Sequence, residues 1–263
     1  MVVSPPVSLA CSFALAAGTF LAGVLSSITG GTSLLTVPLL IAAGLDPQAA
    51  IATNMPVVAL LSAGASAKFL KDGRMPLRPT LGLGLTAIPG SIAGALVAVT
   101  IDKSLLRLLV SAALLGMAAL FNVLPRFGED TRAVSRLTER LGYVSMALWA
   151  FYGGLFSGGY ATVLTLAIVF FFGRTLSDGI AASKLVNLVG SLAASAVFAT
   201  HHLIRWDLVP WMGLAAALGG WCGARVALRS APERLRRLFV LVITAIGIKV
   251  GYDSLVERRH PSR

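Results

Sequence analysis

Ten apolar segments alternate with short polar stretches along the chain. They run over roughly 7–28, 32–44, 48–69, 80–100, 105–124, 141–157, 160–173, 179–200, 207–226 and 235–255. At about 1.5 Å per helical residue, most are long enough to cross the hydrocarbon core of a bilayer. The second and seventh are too short: about 13 residues each give only about 20 Å of helix. That length suits a half-helix or a re-entrant piece. The pattern predicts an all-α polytopic membrane protein with about eight spanning helices plus short broken or re-entrant half-helices. The first segment lacks a cationic stretch ahead of it and runs past what a signal sequence needs, so it reads as a retained membrane helix.

The two short segments hold matching places, and the sequence repeats around them. A shift of 129 residues puts Gly30 on Gly159, Gly44 on Gly173, and Ile51 and Ala52 on Ile180 and Ala181. It also puts Ser62 on Ser191, Ala65 and Ser66 on Ala194 and Ser195, and Phe69 on Phe198. Gly90 and Gly94 fall on Gly219 and Gly223, and both pairs read as small-xxx-small helix-packing seams. The expected organisation is a membrane repeat over 1–124, a cytoplasmic connecting loop over 125–140, a second repeat over 141–257 and a polar tail over 258–263.

Loop charge sets the expected orientation. The third segment is followed by Lys68, Lys71, Arg74 and Arg78, whereas the equivalent loop of the second half holds Arg205 with His201 and His202. The fourth segment is followed only by Lys103 and Arg107, whereas its equivalent is followed by Arg225, Arg229, Arg234, Arg236 and Arg237. Equivalent loops therefore face opposite sides, which makes these inverted-topology repeats of the kind found in secondary transporters. The central loop, with Arg126, Arg132, Arg136 and Arg140, is placed in the cytoplasm and both termini outside.

Composition agrees with the pattern. Of 263 residues, 56% are hydrophobic and 13% charged, against about 25% charged in soluble domains. Too little polar surface remains for a soluble enzyme, a disordered chain or a secreted disulfide scaffold. The net charge is +11, but the cations sit in short loops without a basic, aromatic-interleaved stripe. Lipid headgroups explain them, and nucleic acid is excluded as a partner. Cys11 and Cys222 lie inside apolar runs with no metal or redox spacing and read as packing residues.

The candidate chemistry starts at the breaks before the short segments. The first half reads Thr29, Gly30, Gly31, Thr32, Ser33; the second reads Ser157, Gly158, Gly159, Tyr160, Ala161, Thr162. Paired glycines let the backbone leave the helix. The hydroxyls beside them can satisfy freed backbone groups or a ligand. A helix starting after each break presents amide protons with partial positive charge, and two such ends near the midplane would hold an anion. Tight helix packing is the plainer account of the glycines; the duplicated break before an undersized helix favours a site.

The following segments add Thr53 and Asn54 in the first half and Ser183, Lys184 and Asn187 in the second. Lys184 lies inside an apolar segment, where a cation is costly and needs a partner. An anionic substrate is one partner; snorkelling to the interface is the alternative. Asn187 shares its helix face at i+3. Lys249 reads as a snorkelling residue. All 11 acidic residues fall at segment ends or in loops, so no carboxylate relay or metal-cation site is expected, and no metal or other cofactor. His201 and His202 lack metal-site spacing. A P-loop and a GxSxG motif are both missing, which speaks against an ATP-driven pump and a hydrolase. No catalytic residues are assigned.

The glycine breaks, the Ala-x-x-Thr-Asn and Ala-Ala-Ser-Lys-x-x-Asn helix starts and the duplicated GxxxG seams together resemble the sulfite exporter TauE/SafE family of membrane permeases, over about residues 15–255. The resemblance implies two related halves and transport of sulfite, sulfoacetate or related sulfur oxyanions. By resemblance, Gly30, Gly31, Thr32 and Ser33, with Gly158 and Gly159, match the family's glycine-rich motifs. Ser183, Lys184 and Asn187 match its second-half helix motif. Met55 stands where the second half has Lys184, and Tyr160 where a third small residue is expected.

The expected function is that of a secondary transporter, an exporter, of a small sulfur-containing oxyanion across a bacterial inner membrane by alternating access. A passive small-anion channel and a non-transporting membrane interaction subunit are the alternatives; an enzyme is not expected. The implied partners are a small anionic substrate and membrane lipid, with a homo-oligomer left open.

Overall fold

The computed structural model describes residues 9–29, 32–123, 131, 133–227, 244 and 248. Among these residues the chain forms nine α-helices and no strand. They are α1 (Leu9–Thr29), α2 (Ser33–Ala42), α3 (Pro47–Lys71), α4 (Leu77–Thr100), α5 (Lys103–Val123), α6 (Arg136–Phe156), α7 (Tyr160–Phe172), α8 (Leu176–Thr200) and α9 (Val209–Ala227). Each corresponds to one of the first nine apolar segments. The tenth segment, Lys249 and the tail 258–263 lie outside the described residues, as do Gly30, Gly31, most of 124–132 and the side chains of Cys11 and Thr29.

Local chemistry fixes the ends. Asp46 caps α3, its carboxylate accepting from the Ala49 N–H at 3.1 Å, and Pro47 follows where a missing N–H costs nothing. Thr175 caps α8 through the Asp178 N–H. Ser135 caps α6 through the Thr138 N–H. Residues 136–140, at the edge of the expected connecting loop, form the first turn of α6.

α3, α4 and α8, with 24 or 25 residues each, are long and apolar enough to cross a membrane. Large apolar side chains face outward, among them Leu81, Leu85 and Leu96 on α4, Leu148 on α6 and Leu214 and Leu218 on α9. The interior, by contrast, holds Asn54, Asn187, Lys184 and many serine and threonine hydroxyls alongside its apolar clusters. An apolar exterior over a partly polar interior suits a lipid solvent.

Local geometry repeats at the spacing seen in the sequence. α3 and α8 have bounds 129 apart. Gly44 and Gly173, and likewise Gly73 and His202, share left-handed backbone at that spacing. The turns after α3 and α8 carry the same bonds: Arg74 N–H to Phe69 O at 3.0 Å, and Leu203 N–H to Phe198 O at 3.2 Å. The spacing slips by two in the first helix of each half. Gly90 and Gly94 of α4 press on the carbonyls of Ala147 and Phe151 of α6, and Gly219 and Gly223 of α9 press on those of Phe20 and Val24 of α1. Those carbonyls are 127 apart; each break spans three positions, 30–32 and 157–159, so the slip is made up beyond them, where α7 has 13 residues and α2 has 10.

α1 and α2 form one hairpin, with Gly18 against Leu39. α6 and α7 form another, with Tyr143 edge-on to Phe172 at 5.2 Å and Gly153 against the Tyr160 ring. The hairpins open toward opposite ends of the bundle. At one end the starts of α6 and α8, the end of α7 and the α3–α4 turn line a shared cavity. At the other, Lys103 meets Asp46 at 3.5 Å, Gln48 Nε2 donates to Ala98, Val99 and Ile101 carbonyls, and the Arg205 N–H donates to Thr53 Oγ1. α3 and α8 cross at the centre, α4 packs on α6 and α8, and α9 packs on α1 and α3.

Candidate functional site

The second break is formed by Ser157, Gly158 and Gly159. Gly159 sits at φ 76, a left-handed conformation that reverses the chain into α7 with no Cβ to hinder it. The Tyr152 hydroxyl donates to the Gly158 carbonyl and braces the turn from α6. The ladder of α7 begins with Thr162 and Val163 N–H on Gly159 O, at 3.0 and 3.2 Å. The Tyr160 N–H is also used, by Ser157 O at 3.3 Å. The turn therefore uses part of the row of amides at the start of α7. In the first half α1 ends at Thr29 and α2 begins at Ser33. Thr32, in N-cap position, leaves the cap unused and donates its hydroxyl to Ser26 Oγ. The second break lies against the first turn of α2, since a Cβ on Gly158 would lie 2.9 Å from Leu34 Cδ2.

Lys184 is the ninth residue of α8 and is 1% exposed. Its Nζ donates to the Ser26 carbonyl at 2.8 Å, in the last turn of α1 just before the first break. Snorkelling is thus ruled out for Lys184: the ammonium points into the protein. Carbonyls in the last turn of a helix have no partner in the ladder and carry partial negative charge, which suits a cation. No aspartate or glutamate is among the described buried residues. Among the described residues the lysine charge is met by one backbone carbonyl, with no buried carboxylate beside it.

Ser33 and Asn54 come together. Asn54 Nδ2 donates to Ser33 Oγ at 2.8 Å, and the Thr36 hydroxyl donates to Asn54 Oδ1 at 2.5 Å. The equivalent bond in the second half runs from the Thr165 hydroxyl to Ser183 Oγ at 3.0 Å. Each short helix is thereby latched to the long helix that follows it. Asn187 lies on the α3–α8 crossing, where Nδ2 donates to Ser62 Oγ at 3.3 Å and Oδ1 accepts from Ser191 at 3.2 Å. Thr162 is buried near the start of α7. The Tyr160 hydroxyl and Ser157 Oγ are buried without a hydrogen-bond partner. Tyr160 OH lies 3.6 Å from where a Gly190 Cβ would stand, next to Ser91.

The structure thus gathers Thr32 and Lys184 around Ser26, and Ser33 beside them with Asn54. Ser183 and Asn187 turn to their own partners. Sequence reasoning missed Ser26, Ser62, Thr165 and Tyr152. Thr36 and Thr165 fall 129 apart, which could have revealed the latches. Ser26 had no distinguishing signal. Among the described residues no group of three or more His, Cys, Asp or Glu could hold a metal ion.

A polytopic helical membrane protein with two broken hairpins and an uncompensated interior cation falls in the class of membrane transporters. The family model described as "Sulfite exporter TauE/SafE" matches residues 15–250, and the chain belongs to that family. It is 28% identical over 245 residues to "Probable membrane transporter protein ORF9" of a Sinorhizobium species, covering 93% of this chain and 92% of that protein. It is 28% identical over 235 residues to "Probable membrane transporter protein YfcA" of Escherichia coli K12, covering 89% and 87%. A "Probable membrane transporter protein" of Haemophilus influenzae is 27% identical over 240 residues, covering 89% and 92%. No solved structure matches the chain significantly. The family is one of membrane transporters, not enzymes.

Proposed function

We propose that this protein is a secondary transporter, an exporter, that moves a small sulfur-containing oxyanion, sulfite or an organosulfonate, across the bacterial inner membrane by alternating access. The observation that carries the reading is Lys184: a buried ammonium on a single carbonyl, in the last turn before the first chain break, with no carboxylate among the described buried residues. An anion arriving there would be held by the ammonium, the Thr32 and Ser33 hydroxyls and the Asn54 amide, with the Tyr160 and Ser157 hydroxyls ready to donate. Gly158 and Gly159 open the backbone for it, and the sequence pattern assigns Gly30 and Gly31 the same part in the first half. A carboxylate would satisfy the same donors; the preference for sulfur oxyanions rests on the family.

The halves 1–124 and 141–257 act as inverted repeats joined by a cytoplasmic loop. Supporting this, the shared left-handed positions and equivalent turns recur at 129, while the two hairpins open to opposite ends. The basic loop at Lys68, Lys71 and Arg74 lies at the end assigned to the cytoplasm.

The test is uptake of labelled sulfite, sulfoacetate and taurine into proteoliposomes under imposed pH and sodium gradients. Counterflow and dependence on a coupling-ion gradient are expected. Gradient-insensitive flux without counterflow would make the protein a channel, and no flux of any of these anions would remove transport of this class.

A further inference from the structure

A cavity of about 390 Å³ opens at the end where the α3–α4 turn meets the starts of α6 and α8. Arg74, Glu139, Arg174 and Asp178 ring it, and Ala182 reaches into it from α8, two residues before Lys184. The size falls within the about 300–1,000 Å³ typical of ligand pockets. Lys184 itself does not line the cavity.

The 129-residue relation says what stands at the equivalent place on the opposite end. Arg174 corresponds to Leu45, Met75 to Ile204, Pro79 to Leu208, Thr80 to Val209 and Leu83 to Met212. Leu45, Ile204, Leu208, Val209 and Met212 are all buried, and all belong to one apolar cluster. Ala182 corresponds to Thr53, which is fully buried with its hydroxyl taken by the Arg205 N–H at 3.0 Å. At these positions one end lines a cavity and the other lies within an apolar cluster, although Met75, Thr80 and Leu83 are themselves buried and Pro76, also at the cavity, corresponds to the charged Arg205. Small side-chain differences do not account for this alone, because the packed end also closes over a threonine whose counterpart lines a void.

We propose that the cavity is the mouth through which a small anion approaches the Lys184 site from one face, and that Leu45, Ile204, Leu208, Val209 and Met212 form the closed gate on the other. This rests on the transporter reading and deepens it. The structure is the conformer open at the Arg74 end. A hydrophobic gate holds water and ions out by dewetting and by the cost of bringing charge into an apolar constriction. Arg74 and Arg174 stand at the mouth with Glu139 and Asp178, so the ring is charged but carries no net charge.

The experiment uses a Cys11→Ser/Cys222→Ser background reconstituted in liposomes, with single cysteines at the matched positions Ala182→Cys and Thr53→Cys. A membrane-impermeant, anionic thiosulfonate reagent is added from either side. Ala182→Cys is expected to label from the side bearing the 72–76 turn, and Thr53→Cys from neither side. Adding Ile204→Ser or Val209→Ser to Thr53→Cys should raise its labelling from the opposite side about tenfold, as a shift in the open population. Equal labelling of the two cysteines without a gate variant, an inert Ala182→Cys, or gate variants that leave Thr53→Cys inert would each overturn the proposal. Labelling needs no transport. The expected pattern without anion flux would spare the gate and sink the transporter, whereas flux with the pattern reversed would do the opposite.

Discussion

Lys184 is the residue on which the chemistry turns. An ammonium in a lipid-embedded interior costs several kcal/mol unless it is paired, and Ser26 O is a neutral partner. Other residues test the local geometry. His202 holds φ 55 where its counterpart is Gly73. A side chain there costs about 1–2 kcal/mol in left-handed backbone. His202→Gly should therefore raise the unfolding free energy by about 1 kcal/mol, and Gly73→Ala should lower it by a similar amount, both read by thermal melting in detergent. In the same turn Arg205 Nε and Nη2 donate to Asp207 at 2.9 and 2.8 Å. Those bonds hold the Asp207 carboxyl below the usual carboxylate range, against partial desolvation. A lowered folded-state pKa means that the pair's contribution is complete above about pH 4 and is lost as pH falls through the lowered value. Because half of the Asp207 side chain is exposed the effect is small. Hydrogen-exchange protection of the 201–208 turn should fall on acidification below about pH 4, and Asp207→Asn should make it low and flat with pH.

At the scale of elements, the helices are held by backbone-to-backbone approach. A Cβ on Gly94 would stand 1.9 Å from Phe151 O, whereas one on Gly82, in the same helix, would meet nothing within 4 Å. Gly94→Ala should destabilise by about 1–3 kcal/mol, and Gly82→Ala should be neutral or stabilising by about 0.5–1 kcal/mol. Paired melting curves check both, and equal effects would mean that α4 and α6 do not pack as described. Much at this scale was readable beforehand, because lipid demands long apolar runs, and undersized runs after paired glycines announce a reversal. The two-residue slip between α1 and α6 was not. The matches that define the repeat begin at Gly30, and α1 is written in small residues that align almost as well at several registers. The bonding partners of the site were hidden for a related reason: Ser26 and Ser62 look like dozens of other packing serines. Only the fold shows which carbonyl faces a lysine 158 residues away. Lys184 itself was legible because a charge in an apolar run is rare.

At the scale of the molecule, each half lends helices to the other. α4 packs on α6 and α8, while α9 packs on α1 and α3. In the alternating access proposed above, rocking of one half against the other would slide the glycine seams, and the hairpins with their Thr36 and Thr165 latches would move with them. In the inverted arrangement proposed above, the turns at 70–79 and 201–206 lie on opposite faces. Single cysteines in the two turns should label from opposite sides of the membrane, and labelling of both from one side would end the repeat argument.

In the transport proposed above, Lys184 binds the anion that is moved. Uptake of labelled sulfite by Lys184→Met, in proteoliposomes matched to wild type for folded protein by melting and size-exclusion profile, tests it most directly. The account predicts that transport is lost in Lys184→Met and at least partly kept in Lys184→Arg. Wild-type uptake by Lys184→Met would contradict it.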